Sequence, residues 1–124
     1  METFPLRNEA GEIFAFEIPS SYFSSSGAVG RFFARCPGVV IERVRRFFEF
    51  GNEVHVIFSL DGEKYEVWEP FGDNSRYWVG PKGESKQPLN SLHGLESYVR
   101  ANWPGPLSAA RGKLFSLFRQ KNVT

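Results

Sequence analysis

The sequence predicts an α+β fold in which helices pack against an antiparallel β-sheet. Four consecutive segments are rich in β-branched and aromatic residues and are separated by turn-forming pairs. A hairpin pattern precedes them, and apolar residues at helical spacing lie both before and after them. Because the strands are grouped, the order β-β-α-β-β-β-β-α-α favours an antiparallel sheet with segregated helices. A chain of 124 residues with 41% hydrophobic content is expected to form a single domain, residues 1–124.

The first 18 residues predict a small hairpin. Turn-forming residues 8–11 separate a short first arm from a second arm at 13–18. Pro5 lacks a backbone N–H for a sheet ladder, so the first arm is expected at a sheet edge. A four-residue loop would place Leu6 opposite Ile13.

The next segment predicts a helix from about residue 21 to 35. Its apolar side chains recur at spacings of three and four, and a serine hydroxyl at its start can accept a bond from a free backbone N–H. Gly27 and Gly30 weaken a helix, which indicates close approach to another element. Pro37 and Gly38 end it. The apolar stripe comprises Tyr22, Val29, Phe32, Phe33 and Cys36.

The central part of the chain predicts a four-stranded meander with strands at about 39–50, 53–60, 63–69 and 75–80. Asp61 and Gly62 favour a two-residue turn with positive φ at both positions. This turn would pair Leu60 with Glu63, Phe58 with Tyr65, Val56 with Val67, and His55 with Trp68. Alternation then places Val56, Phe58, Tyr65 and Val67 on the core face, and His55 with Trp68 on the second face.

The C-terminal region predicts two further helices. Asn90 or Ser91 is expected to cap the first, which Pro104 ends, and a second amphipathic helix follows Pro106. The last 28 residues carry a charge of +5. A basic amphipathic helix can adsorb to an anionic membrane, but docking on the sheet is the favoured interpretation, since so small a domain needs its helices to cover the sheet.

Composition excludes several classes of function. The net charge of +1 gives no general attraction to nucleic acid. One cysteine, Cys36, excludes an internal disulfide, which fits a reducing compartment, and we expect a cytoplasmic protein. No segment has the length of a transmembrane span. The two histidines have no further ligand at metal-binding spacing, so neither a metal nor a cofactor is expected.

An aromatic hairpin between Tyr65 and Trp78 is the strongest candidate for a binding site. Buried aromatic and arginine side chains carry most of the affinity in protein interfaces. We therefore expect a non-catalytic adaptor or inhibitor-like module whose partner is another protein, with self-association left open. Pleating sends Tyr65 and Val67 into the core and leaves Phe71, Tyr77 or Trp78 for a partner. The predicted binding residues are Trp68, Phe71, Asp73, Asn74, Arg76, Tyr77, Trp78 and, on the adjoining face, His55.

Two alternatives stay open. The first is an enzyme or small-ligand protein with a cleft beside His55, Trp68, Glu66 and Arg46, where an imidazole could act as acid or base. Sequence spacing supplies no third group for a triad, so no catalytic residue is assigned. The second alternative is single-stranded nucleic-acid binding through residues 43–46, although glutamates of the same sheet would repel phosphate.

Overall fold

The computed structural model of the chain describes residues 1–45, 54–69, 75–83 and 85–103. The fold is α+β, with an antiparallel sheet. Its strands are β1 (Phe4–Arg7), β2 (Ile13–Pro19), β3 (Val39–Val44), β4 (Val54–Leu60), β5 (Glu63–Trp68) and β6 (Arg76–Pro81). The helices in the described ranges are α1 (Ser26–Ala34) and α2 (Leu92–Ala101), and a short 3-10 helix covers Ser20–Tyr22.

The strands form one sheet in the order β1-β2-β6-β5-β4-β3, with every neighbouring pair antiparallel. The N-terminal hairpin joins the meander through β2 and β6, where Phe16 pairs with Val79. The edge position predicted from Pro5 is confirmed, because β1 is an outer strand. The predicted pairing of Leu6 with Ile13 is wrong: a register shift after Leu6 pairs it with Ala15.

The β4–β5 hairpin follows the turn chemistry of its two central residues. Asp61 and Gly62 have φ values of 53° and 79°, the conformation that a two-residue hairpin turn requires. The predicted pairs Leu60–Glu63, Phe58–Tyr65 and Val56–Val67 are confirmed. The fourth predicted pair is wrong, because a register shift between Val54 and Val56 pairs Val54, rather than His55, with Trp68.

Both helices contribute to one hydrophobic core on a single side of the sheet. An aromatic column runs through it: the Phe33 and Phe58 rings stack at 5.1 Å, and the Phe58 and Tyr65 rings at 5.2 Å. The Tyr98 hydroxyl donates a 2.7 Å hydrogen bond to the Phe32 carbonyl and so joins α2 to α1. The helices also bury Val29, Phe32, Leu92, Leu95 and Val99 against Phe16, Ile18, Val56, Val67 and Val79 of the sheet.

Helix α1 begins five residues later than the sequence predicts. Residues 20–22 form the short 3-10 helix, and Ser25 caps α1 by accepting a hydrogen bond from the Ala28 N–H at 3.1 Å. The predicted close approach at Gly30 is confirmed: a Cβ there would lie 2.9 Å from Cγ2 of Val44. Glycine therefore lets α1 lie directly on β3.

A distant carboxylate caps α2. The Glu63 side chain accepts hydrogen bonds from the Asn90 N–H at 3.0 Å, the Ser91 N–H at 2.8 Å and the Ser91 hydroxyl at 2.7 Å. Partial burial acts to raise the pKa of Glu63, but the bonds from Ser91 and Asn90 outweigh it and hold the pKa below its ordinary value. Ser91 itself makes no side-chain cap, so the local cap predicted for this helix is replaced by a glutamate from β5.

Several predictions fall outside the described residues. They concern residues 46–50 at the end of the first meander strand, the hairpin tip with Phe71, Asp73 and Asn74, and the last helix after Pro106. Within the described ranges, neither helix combines the length and apolar content that crossing a bilayer requires.

Candidate functional site

The aromatic residues predicted to bind a partner are mostly interior where the structure describes them. Tyr77 is 5% exposed and belongs to the helix-covered core, whereas Trp78 is 9% exposed and lies on the opposite side of the sheet. Trp78 packs there against partly buried Trp68 at 5.9 Å and Phe14 at 6.5 Å. The expectation that Tyr77 or Trp78 is free for a partner therefore does not match the structure.

Arg76 is engaged within the fold. Its guanidinium lies 3.6 Å from the centre of the Phe4 ring, and its Nη1 donates a 3.2 Å hydrogen bond to the Glu17 carboxylate. These contacts hold β6 to the N-terminal hairpin. The other predicted hairpin residues, Phe71, Asp73 and Asn74, lie outside the described residues, and their role stays a prediction.

The register shift in β4 moves His55 to the helix-covered side of the sheet. The inserted residue breaks strict alternation, as a β-bulge does. His55 is 2% exposed, its ring lies 4.8 Å from that of Tyr77, and its carbonyl accepts a 2.8 Å hydrogen bond from the Arg45 N–H. The prediction that His55 shares the second face with Trp68 is therefore wrong.

The bulge brings His55 between two side chains that the sequence did not link to it. Oγ of Ser26, the first residue of α1, lies 2.7 Å from Nδ1 of His55, within hydrogen-bond distance. Oε1 of Glu69 lies 3.0 Å from Nε2. That carboxylate lies off the direction of the ring N–H, so Nε2 has no hydrogen-bond partner among the described residues. The contact with Glu69 is close and electrostatic.

These three side chains belong to the wall of a pocket of about 360 Å³ at the start of α1. Its wall is unusually rich in hydroxyl groups, and it also carries one cationic and one anionic side chain. The lining consists of the five serines between positions 20 and 26, together with Phe23, Arg45, His55, Glu69 and Tyr77. The pocket is therefore polar and offers both donors and acceptors.

Burial controls the protonation of the two rings in the pocket. Burial, and secondly the positive charge of Arg45, lower the pKa of His55 to about 4, so the imidazole is neutral at pH 7. Burial raises the pKa of Tyr77 to about 12, with Glu69 adding to the shift and Arg45 opposing it.

We expect the stability of the protein to fall as the pH drops from 6.5 towards 4. In this window the unfolded chain, with a histidine pKa near 6.5, binds a proton that folded His55 does not. His55 thus contributes on the order of 2–3 kcal/mol to the free energy of unfolding above pH 6.5. This contribution is lost as the pH falls towards 4. Urea denaturation at stepped pH values measures it.

The matched variants for this measurement are His55→Gln and His93→Gln. Glutamine at position 55 removes the titrating group, so its profile should be flatter between pH 4 and 6.5. His93 is exposed and makes a control for general loss of a histidine. An equal slope in the wild type and in folded His55→Gln would contradict the assignment to His55.

Two of the predicted binding residues, His55 and Tyr77, line this pocket, but the partners of His55 were not predicted. His55 was a candidate acid or base, but the cleft was expected beside Trp68 and Glu66, neither of which lines this pocket. Arg46 lies outside the described residues, while its neighbour Arg45 lines the pocket. The serine run before α1 was a visible signal, but its position opposite His55 depends on the bulge.

The other predicted chemistries receive no added support. Glu42 pairs with Lys64 at 3.2 Å, which shows cross-strand ion pairing on the sheet that was considered for nucleic acid. Among the residues described, no group of three or more His, Cys, Asp or Glu side chains is arranged to hold a metal ion. Comparison with protein-family models, curated proteins and solved structures finds no match.

Proposed function

We propose that the chain binds a small polar ligand in the pocket at the start of α1. The observation that carries this proposal is the state of His55. Its Nε2 is buried and has no hydrogen-bond partner among the described residues. A buried polar group without a partner costs about 1–3 kcal/mol, and a ligand acceptor at Nε2 would remove that cost.

The size and lining of the pocket define the ligand class. Small-molecule sites commonly enclose about 300–1,000 Å³, so a cavity of about 360 Å³ fits a compound of few heavy atoms. Serine hydroxyls accept and donate, Arg45 favours a negative group, and Glu69 favours a donor. A compound with both an acceptor and a donor, such as a small hydroxy or amino acid, satisfies this wall best.

The adaptor or inhibitor-like role of the aromatic hairpin has less support. Within the described part of the hairpin, Tyr77 and Trp78 are buried and Arg76 is held by Glu17. That role now depends on Phe71, Asp73 and Asn74. We retain the cytoplasmic location as part of the proposal, because Cys36 is a free, buried thiol that suits a reducing compartment.

Titration of ¹⁵N-labelled protein with a library of small polar fragments, acetate, glycine and inorganic phosphate included, tests the proposal. We expect saturable amide shifts centred on residues 24–26, His55 and Tyr77. His55→Ala should weaken binding about tenfold or more, whereas His93→Ala should leave it unchanged. The proposal fails if no probe gives saturable shifts at these residues, or if the shifts map elsewhere on the protein.

A further inference from the structure

We infer that Ser26 is a nucleophile for acyl transfer, with His55 as its general base and Glu69 as a positioning residue. The expected substrate is a small carboxylic ester. The inference rests on the proposed pocket, since the substrate must enter it to reach Ser26. Three independent features support it: the serine–histidine contact, the carboxylate behind the histidine, and the position of Ser26 on α1.

The serine–histidine contact has the geometry of a nucleophile and its base. Ser26 Oγ and His55 Nδ1 are 2.7 Å apart, inside the range of about 2.6–3.2 Å that proton transfer requires. His55 is neutral at pH 7, so it has a lone pair available for the serine proton. Ser26 is 6% exposed but lines the pocket, which gives a small substrate a route to its oxygen.

Glu69 selects the histidine tautomer that this reaction needs. A carboxylate 3.0 Å from Nε2 favours the ring proton on that nitrogen, which leaves Nδ1 free to accept the proton of Ser26. The carboxylate is off the N–H direction in this structure. Its effect on the ring is therefore electrostatic, and the Nε2 proton stays available to a ligand acceptor. Glu69 also stabilises the imidazolium that forms during the reaction, because its charge is opposite and its side chain is only 13% exposed.

The position of Ser26 favours developing negative charge. It is the first residue of a nine-residue helix, where backbone N–H groups have no helical acceptor and the helix dipole is positive. The N–H of Gly27 follows directly in the chain. Donors of this kind stabilise the oxyanion of a tetrahedral intermediate. A serine with the purely structural role of bonding to a buried histidine would need neither a position at a helix start nor access to an open pocket.

The reaction balances without any further reagent. Ser26 Oγ attacks the ester carbonyl carbon while its proton passes to Nδ1 of His55, and the carbonyl electron pair moves to oxygen. Collapse breaks the bond to the alcohol oxygen, which takes the proton from His55 and leaves an acyl-serine. Water then gives a proton to His55 and attacks the acyl carbon. The bond between the acyl carbon and Ser26 Oγ then breaks, His55 returns its proton to Oγ, and the carboxylic acid is released.

Labelling with an alkyl fluorophosphonate tests the inference, because this probe records the nucleophile without the true substrate. Ser26 Oγ would attack phosphorus, fluoride would leave, and the serine proton would pass to His55. We expect a single adduct on folded wild-type protein, mapped to Ser26 by peptide mass spectrometry. Ser26→Ala should abolish it, and His55→Gln should slow labelling about 100-fold or more.

Two further variants separate catalysis from structure. Ser97→Ala removes an exposed hydroxyl from α2, outside the pocket wall, and should label at the wild-type rate. Glu69→Gln keeps the shape of the side chain but loses its charge. Its labelling rate should fall, and its pH dependence should move to lower pH, because the charge that favours the imidazolium is gone. A purely structural role for Glu69 would not change the pH profile.

The wild-type adduct map makes the inference falsifiable even if a variant does not fold. No adduct on Ser26 of the folded wild type would overturn it, as would equal labelling of the other pocket serines. Fragment binding at the pocket without a Ser26 adduct would overturn the nucleophile but keep the binding proposal. Absence of both would remove the binding proposal and the inference together.

Discussion

Replacing Phe58 by alanine is expected to lower the free energy of unfolding by about 3–5 kcal/mol. Phe58 is fully buried, and its ring is stacked between Phe33 of α1 at 5.1 Å and Tyr65 of β5 at 5.2 Å. Deleting the ring would remove apolar burial and both stacking contacts, and it would leave a cavity between helix and sheet. Urea denaturation followed by far-ultraviolet circular dichroism measures the change.

Val40→Ala is the matched control for Phe58→Ala. Val40 lies on β3, next to β4, but is 61% exposed, so its truncation should change stability by no more than about 0.5 kcal/mol. A loss below about 1 kcal/mol for Phe58→Ala would show that Phe58 is not at the centre of the core.

Gly80→Ala is expected to lower the free energy of unfolding by about 1–3 kcal/mol. A Cβ at this position would lie 2.7 Å from the indole of Trp78 and 2.8 Å from Cβ of Ala15. The indole lies across Gly80, so it must be displaced before any side chain fits. Denaturation gives the loss of stability, and a red shift of tryptophan emission would report the displacement.

Gly94→Ala provides a glycine control with the opposite sign. Gly94 lies inside α2, and a Cβ there would meet no atom within 4 Å. Alanine is the better helix former, so this variant should gain about 0.5–1 kcal/mol. If Gly80→Ala were as stable as the wild type, the packed position of the Trp78 indole would not depend on the absence of a side chain at residue 80.

The parts of the fold that local chemistry determines were predictable from the sequence. The register of β4 and β5 follows from Asp61 and Gly62, since a two-residue turn with positive φ leaves one pairing for the residues beside it. The edge position of β1 follows from Pro5 for a similar reason, because proline removes a ladder donor.

The parts that depend on distant contacts were not predictable. Only a structure reveals the register shift beside His55, and one extra residue decides which face of the sheet receives the imidazole. The same limit applies to Trp78, which packs with Phe14 and Ala15 of another strand. The site partners Ser26 and Glu69 are separated from His55 by 29 and 14 residues, so spacing in the sequence carries no signal of their proximity.

The two helix caps include one that local sequence determines and one that depends on a distant contact. The cap of α1 is local, with Ser25 bonded to Ala28, and a capping serine was predicted, although near residue 21. The cap of α2 comes from Glu63, 28 residues before Ser91. Both Asn90 and Ser91 resemble local caps, and their N–H groups are instead bound by a glutamate that the hairpin turn places beside them.

The two outer strands affect how this sheet would meet another polypeptide. In the described sheet the outer strands are β1 and β3. The register shift between β1 and β2 leaves Phe14 of β2 unpaired, whereas the shift between β3 and β4 leaves Glu42 of the outer strand β3 unpaired. An added strand needs an unbroken row of backbone donors and acceptors. Pro5 offers no donor on β1, and the shift on β3 interrupts the row beside Glu42. We therefore expect both edges of the described sheet to be poor templates for strand addition.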